Sequence, residues 1–134
     1  MKAGDLLALY GSLMRGLGAM DELAVVDRLR FVAPCKIAGQ LFDLGAFPGM
    51  REGAGIVKGE VFAVLDPNVI EVLDDFENFL PDEPDESHYV RKRVRLIEPG
   101  ATAAWVYAYN RVPPPNRLID AGDWRAHLAG RTSE

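Results

Sequence analysis

Residues 55–80 read GIVKGEVFAVLDPNVIEVLDDFENFL. In the first half, Val57, Gly59, Val61 and Ala63 alternate with Lys58, Glu60, Phe62 and Val64. A period of two predicts a half-buried strand over 55–65. The period then changes. Asp66-Pro67 offers an N-cap followed by the first helical position, where proline's missing N–H costs nothing. The spacing predicts a helix from there to about Phe79, stopped by Pro81 and Pro84.

On a wheel of roughly 100° per residue, Val69, Ile70, Val72, Leu73, Phe76 and Leu80 share one stripe. Glu71, Asp74, Asp75 and Asn78 fall on the opposite side. Glu77 breaks the pattern. It lands at about 80° from Val69, between Leu73 and Ile70. An unpaired carboxylate facing a core costs several kcal/mol, and desolvation raises its pKa toward neutrality. Such a group can take a proton and return it near neutral pH. The plainer alternative is that Glu77 sits at the edge of the stripe and pairs with an arginine.

Upstream, Asp5–Tyr10 reads as a buried strand. The segment 11–18 holds three glycines and reads as a loop. A short helix capped by Asp21, with Leu23, Val26 and Leu29 at helical spacing, is expected next. Residues 30–47 read as a strand, and Pro48-Gly49 as the turn before the next one. Downstream, Tyr89–Glu98 and Thr102–Tyr109 form an expected hairpin around Pro99-Gly100. Pro113-Pro114-Pro115 is a stiff spacer, and a helix over Asp123–Leu128 is expected to dock through Trp124 and Leu128. Strands are not separated by regular helices, which disfavours a doubly wound parallel sheet. The expected class is α+β: a small mixed β-barrel or sheet with a few flanking helices. Residues 1–134 are expected to form one domain, with 111–134 as a C-terminal extension.

The chain carries 15 Lys+Arg and 20 Asp+Glu, a net charge of −5. Asp82, Glu83, Asp85 and Glu86 lie in one stretch, PDEPDES; without them 16 acids face 15 bases. A nearly neutral body argues against a nucleic-acid partner, which requires a basic face. No apolar run approaches a membrane span, and no signal peptide is expected. One cysteine, Cys35, excludes an internal disulfide and fits a cytoplasmic setting. His88 and His127 lack metal-ligand spacing, so neither metal nor cofactor is expected.

Tyr10-Gly11-Ser12-Leu13 ends the first strand. Gly11 permits close approach of a ligand to the backbone, and the N–H groups of Gly11, Ser12 and Leu13 could form a nest for an anionic oxygen. A simple strand-ending turn is the alternative. Neither a phosphate-binding GxxxxGK[ST] loop nor a GxSxG elbow is present. Arg15 reads as a solvated arginine, or as a cation for a substrate carboxylate. Tyr89, Arg91, Arg93 and Arg95 share one strand face, which three arginines mark as a solvent face, although Tyr89 or Arg91 could still reach a pocket at the strand's start. Trp105, Tyr107 and Tyr109 form a stripe suited to core, interface or pocket wall.

Several segments together resemble the gamma-glutamyl cyclotransferase-like superfamily, in particular its small bacterial-type branch. LALYGSLMRG at 7–16 resembles its opening strand and glycine loop. Gly39-Gln40-Leu41-Phe42 followed by Phe47-Pro48-Gly49 is similar to its G-x-L-(Y/F)…(Y/F)-P-G stretch. Val57-Lys58-Gly59-Glu60-Val61-Phe62 resembles V-x-G-E-(L/V)-(Y/F). Leu73-Asp74-Asp75-Phe76-Glu77 resembles L-D-x-x-E, and Tyr89-Val90-Arg91 with Val94 resembles Y-x-R-x-x-V. Trp105-Val106-Tyr107 is similar to the closing aromatic strand. Leu13 stands where many members have asparagine, and Asn78 where many have glycine.

The resemblance implies a mixed barrel with flanking helices. It implies a metal-independent enzyme of gamma-glutamyl or glutathione metabolism, of lyase or transferase type, that releases 5-oxoproline and an amine. It makes Glu77 the general acid/base and the Tyr10–Leu13 loop the binder of the glutamyl part, with Tyr89 beside them. The expected partner is a small gamma-glutamyl compound; a dimer contact could form through the aromatic face or the segment after Pro115. The alternatives are a non-catalytic small-molecule- or partner-binding domain of the same fold, and an amide-cleaving step in tailoring a metabolite.

Overall fold

The computed structural model describes residues 1–132. Six strands form one mixed sheet: β1 (Leu6–Leu9), β2 (Leu29–Asp43), β3 (Pro48–Val64), β4 (Tyr89–Arg95), β5 (Ala103–Tyr109) and β6 (Leu118–Ile119). Their order is β4-β5-β1-β3-β2-β6. All pairs are antiparallel except β1 with β5. Three helices accompany them: α1 (Ala19–Glu22), α2 (Val69–Phe76) and α3 (Trp124–Thr132). The class is α+β as expected. The sheet is open, so the barrel alternative is set aside. One isolated bridge, between Lys36 and Glu98, links β2 to the chain after β4.

The central strand β1 shows why LLAL contains no polar residue. Leu7 and Leu9 pack on one face with Val69, Ile70 and Leu73 of α2. Ala8 and the following Tyr10 pack on the other, with Val57, Val61 and Trp124. A strand covered on both faces loses the polar alternation. The same cover corrects the half-buried reading of β3: Glu60, Phe62 and Val64 are buried along with Val61 and Ala63. Each fully buried Leu or Val contributes about 1.5–3 kcal/mol. Truncating Leu73, which is fully buried, therefore costs about 2–5 kcal/mol.

The hairpin of β2 and β3 is longer than expected. Pro48 and Gly49 belong to β3, paired with Asp43 and Phe42. The turn lies just before them: the Leu44 N–H donates to the Phe47 carbonyl at 3.0 Å. The Asp43 carboxylate also accepts from the Gly45 N–H at 2.7 Å. Gly49 fits because a Cβ there would lie 2.9 Å from the Tyr109 side chain.

Helix α2 is shorter than expected at both ends. Asp66 is not the N-cap: Asn68 holds that position without a side-chain cap bond, and the Asp66 carboxylate instead closes the turn before the helix by accepting from the Asn68 N–H at 3.0 Å. At the other end Asn78 adopts φ 54. That left-handed conformation ends the helix and is tolerated best by glycine, then asparagine. The early stop places Glu77 at the helix C-cap rather than within it.

Candidate active site

A cavity of about 410 Å³ opens where β1, α2 and the 44–48 turn meet. Tyr10, Gly11, Ser12, Leu13, Glu77 and Tyr89 all line it, whereas Arg15 and Arg91 do not. The alternation of β1 and the end of α2 account for that convergence. Gly11 sits where the loop passes under the turn; a Cβ there would meet Pro48 at 3.0 Å.

Two buried tyrosines fix the loop and the turn. The Tyr10 hydroxyl donates to the Tyr107 carbonyl at 2.6 Å and accepts from the Met50 N–H at 3.1 Å. The Tyr89 hydroxyl donates to the Pro48 carbonyl at 2.7 Å. Burial pushes both phenols well up, and the neighbouring Glu77 carboxylate pushes them further. They act as neutral donors that hold the frame.

Among the described residues, no acceptor is present for the Ser12 and Leu13 N–H groups, and the Ser12 hydroxyl is also unpaired. Buried or half-buried donors left free in a cavity wall are rare and suit an anionic oxygen.

Glu77 is half-buried, with its carboxyl end packed round by protein. Its carboxyl makes no hydrogen bond or ion pair among the described residues. Desolvation with no compensating partner pushes its pKa up to about 8. The arginine that could have paired with it is taken. Arg91 of β4 bonds the Asp74 carboxylate, which also accepts from the Tyr107 hydroxyl at 2.6 Å. Asp74 is thus buried, not on the solvent face that the wheel assigns it. A buried carboxylate needs such partners, and here they come from the sheet.

Arg15 does not reach this cavity. Its guanidinium donates to Glu60 at 3.2 and 3.0 Å, and its backbone N–H donates at 2.8 Å. It also stacks on Phe31, 3.3 Å above the ring centre. Arg125 of α3 donates to the Arg15 carbonyl at 2.6 Å. Buried Glu60 thereby anchors the far end of the glycine loop. Of the aromatic stripe, Tyr107 lines the cavity, while Trp105 and Tyr109 pack beside the same core cluster.

Sequence reasoning missed Glu22, Phe47 and His88, which also line the cavity. Glu22 and His88 carry no local pattern; they arrive from α1 and from the residue before β4. Phe47 stands in the F-P-G motif, but its exposure at the rim had no sequence signal. Among the described residues no cluster of His, Cys, Asp and Glu could hold a metal. Nor, among these residues, is any helix long and apolar enough to cross a membrane.

The arrangement is a concave site with an unpaired, half-buried carboxyl at Glu77, an exposed one at Glu22, free amide donors and an aromatic wall. A family model described as gamma-glutamyl cyclotransferase, AIG2-like, matches residues 7–126, and the chain belongs to that family. A putative gamma-glutamylcyclotransferase of Vibrio cholerae is 40% identical over 84 residues, 63% of this chain and 64% of that protein. The alignable part thus spans somewhat under two thirds of that relative. A crystal structure of an uncharacterised protein from Pyrococcus horikoshii shares the fold with TM-score 0.72 at 20% identity, covering 97% of this chain and 98% of that one. An AIG2-like protein from Mus musculus does so with TM-score 0.68 at 23% identity, covering 92% and 89%.

Proposed function

We propose that this chain cleaves a gamma-glutamyl amide by internal ring closure, releasing 5-oxoproline and an amine. The observation that carries the reading is Glu77: a carboxyl without a partner, in the cavity wall, with a pKa near 8. Family membership and the cyclotransferase name of the Vibrio cholerae relative support the reaction class.

The alpha-amine of the glutamyl group attacks its own gamma-carbonyl carbon. A C–N bond forms within the five-membered ring, and the C–N bond to the leaving amine breaks. Glu77 takes the proton from the attacking amine and delivers it to the departing nitrogen, so one carboxyl serves both steps. A pKa close to the working pH suits a group that must both accept and return a proton. The oxygen that gains charge is within the chemistry of the Ser12 and Leu13 amides. Holding the chain folded supplies much of the rate, because a correctly oriented internal attack has a high effective molarity. Tyr10 and Tyr89 keep the glycine loop and the 44–48 turn in place around the glutamyl part. We take residues 1–134 as one unit, with 111–134 as its C-terminal extension, acting in the cytoplasm without a metal.

The test is a panel: gamma-glutamyl amino acids, gamma-glutamyl-epsilon-lysine and gamma-glutamyl amines, each incubated with the protein and assayed for 5-oxoproline. Release from at least one supports the reading. Saturable binding with no release from any of them overturns it in favour of a non-catalytic binding domain.

A further inference from the structure

A second cavity, of about 500 Å³, adjoins the first. Phe47 and His88 line both. The rings of Tyr89 in the first and Tyr109 in the second lie 5.4 Å apart, so the aromatic wall is continuous. A compartment of this size accommodates an amino acid or a short peptide.

The charges of the two compartments differ. The first holds Glu22 and Glu77. The second holds Asp43, His88, Arg111 and Arg117. Asp43 is already engaged, by a hydrogen bond with the His127 ring at 2.8 Å and by the Arg131 guanidinium at 3.8 Å. Arg111 points its guanidinium at main-chain carbonyls, Ser87 at 2.9 Å and Asn110 at 3.1 Å among them, which leaves its charge uncancelled. The Arg117 guanidinium and the His88 ring have no partner among the described residues. The acids of the 82–86 stretch line neither cavity. A compartment with two uncompensated guanidinium groups attracts a carboxylate and repels an ammonium group.

We infer that this second cavity is the subsite for the leaving amine, and that Arg117, backed by Arg111, selects an amine bearing a carboxylate. The inference rests on the cyclotransferase reading of the first cavity. A leaving group of that kind places its nitrogen at the shared Phe47–His88 wall and its carboxylate on Arg117. Polyamines and other amines without an acid group lack this contact and meet like charge.

Gamma-glutamylalanine and gamma-glutamylalaninamide differ only in that carboxylate. The wild-type protein is expected to prefer the acid by about tenfold or more in kcat/KM, the worth of one charge-assisted hydrogen bond. Arg117→Gln is expected to bring the ratio close to one. Raising salt is expected to shrink the wild-type ratio, since the site is open to solvent. Equal use of the two compounds by the wild-type protein, or a full preference kept by Arg117→Gln, overturns the inference. If neither compound is turned over, calorimetric binding of each to the wild-type protein decides it instead: tighter binding of the acid, lost in Arg117→Gln, supports the subsite, and equal binding overturns it. Failure of turnover counts against the reaction and failure of preference against the subsite, so the two are read separately.

Discussion

Tyr107 donates its hydroxyl to Asp74 at 2.6 Å, and through that bond the sheet holds the helix that ends in Glu77. Asp74 lies one helical turn before Glu77, and Arg91 grips the same carboxylate. Tyr107→Phe leaves the ring in place and removes only the donor. The expected result is a stability loss of about 1–2 kcal/mol in urea unfolding. The expected kinetic result is a fall of about tenfold in kcat with a smaller change in KM, because the substrate still binds while the carboxyl is less well placed. A change confined to stability would mean that the bond holds the fold but does not position Glu77.

Glu77 also makes stability depend on pH. Its folded-state pKa of about 8 lies above the ordinary 4.5. Between those values the unfolded chain has lost the proton and the folded chain keeps it. Stability is therefore full below pH 4.5 and falls as pH rises through 8. The loss is on the order of a few kcal/mol, reduced by the residue's partial exposure. Unfolding midpoints measured from pH 5 to 9 should show this slope in the wild-type protein and not in Glu77→Gln.

The left-handed Asn78 gives a backbone test. At φ 54, alanine is strained and glycine is not. Asn78→Ala should lower stability by about 1 kcal/mol and Asn78→Gly should be near neutral or stabilising. Thermal melts of the two variants decide between this and a side-chain role for Asn78.

Cys35 is expected to be inert. Burial, with Glu60 nearby, pushes its thiol up to about 12. Alkylation by iodoacetamide at pH 8 should be slow in the folded protein and fast in urea, since only the thiolate reacts. Rapid labelling of the folded protein would contradict the buried placement.

How much of this was legible in the sequence differs by residue. Glu77 was found because a helix wheel exposes a carboxyl on an apolar stripe. The glycine loop was found because three glycines follow an apolar strand. The wheel misplaced Asp74, since burial there depends on Arg91 and Tyr107, which lie on strands that the local pattern cannot position. The buried Glu60 was hidden in the same way: period-two alternation assumes one wet face, and α3 brings Arg125 to cover it. Pro48-Gly49 looked like a turn by composition. The real turn, over residues 44–47, lies just before them and is closed by Asp43 and a positive-φ Gly45. Glu22 and His88 enter the cavity through tertiary packing and left no periodic trace.

The central claim is that Glu77 moves the proton during ring closure. The most direct measurement is 5-oxoproline release by Glu77→Gln beside the wild-type protein, on a substrate found by the panel, with circular dichroism to confirm the fold. The account predicts that the wild-type protein releases 5-oxoproline while the folded variant loses at least 100-fold of the rate, roughly the lower bound for general acid–base catalysis. A folded Glu77→Gln that releases 5-oxoproline at the wild-type rate would contradict it.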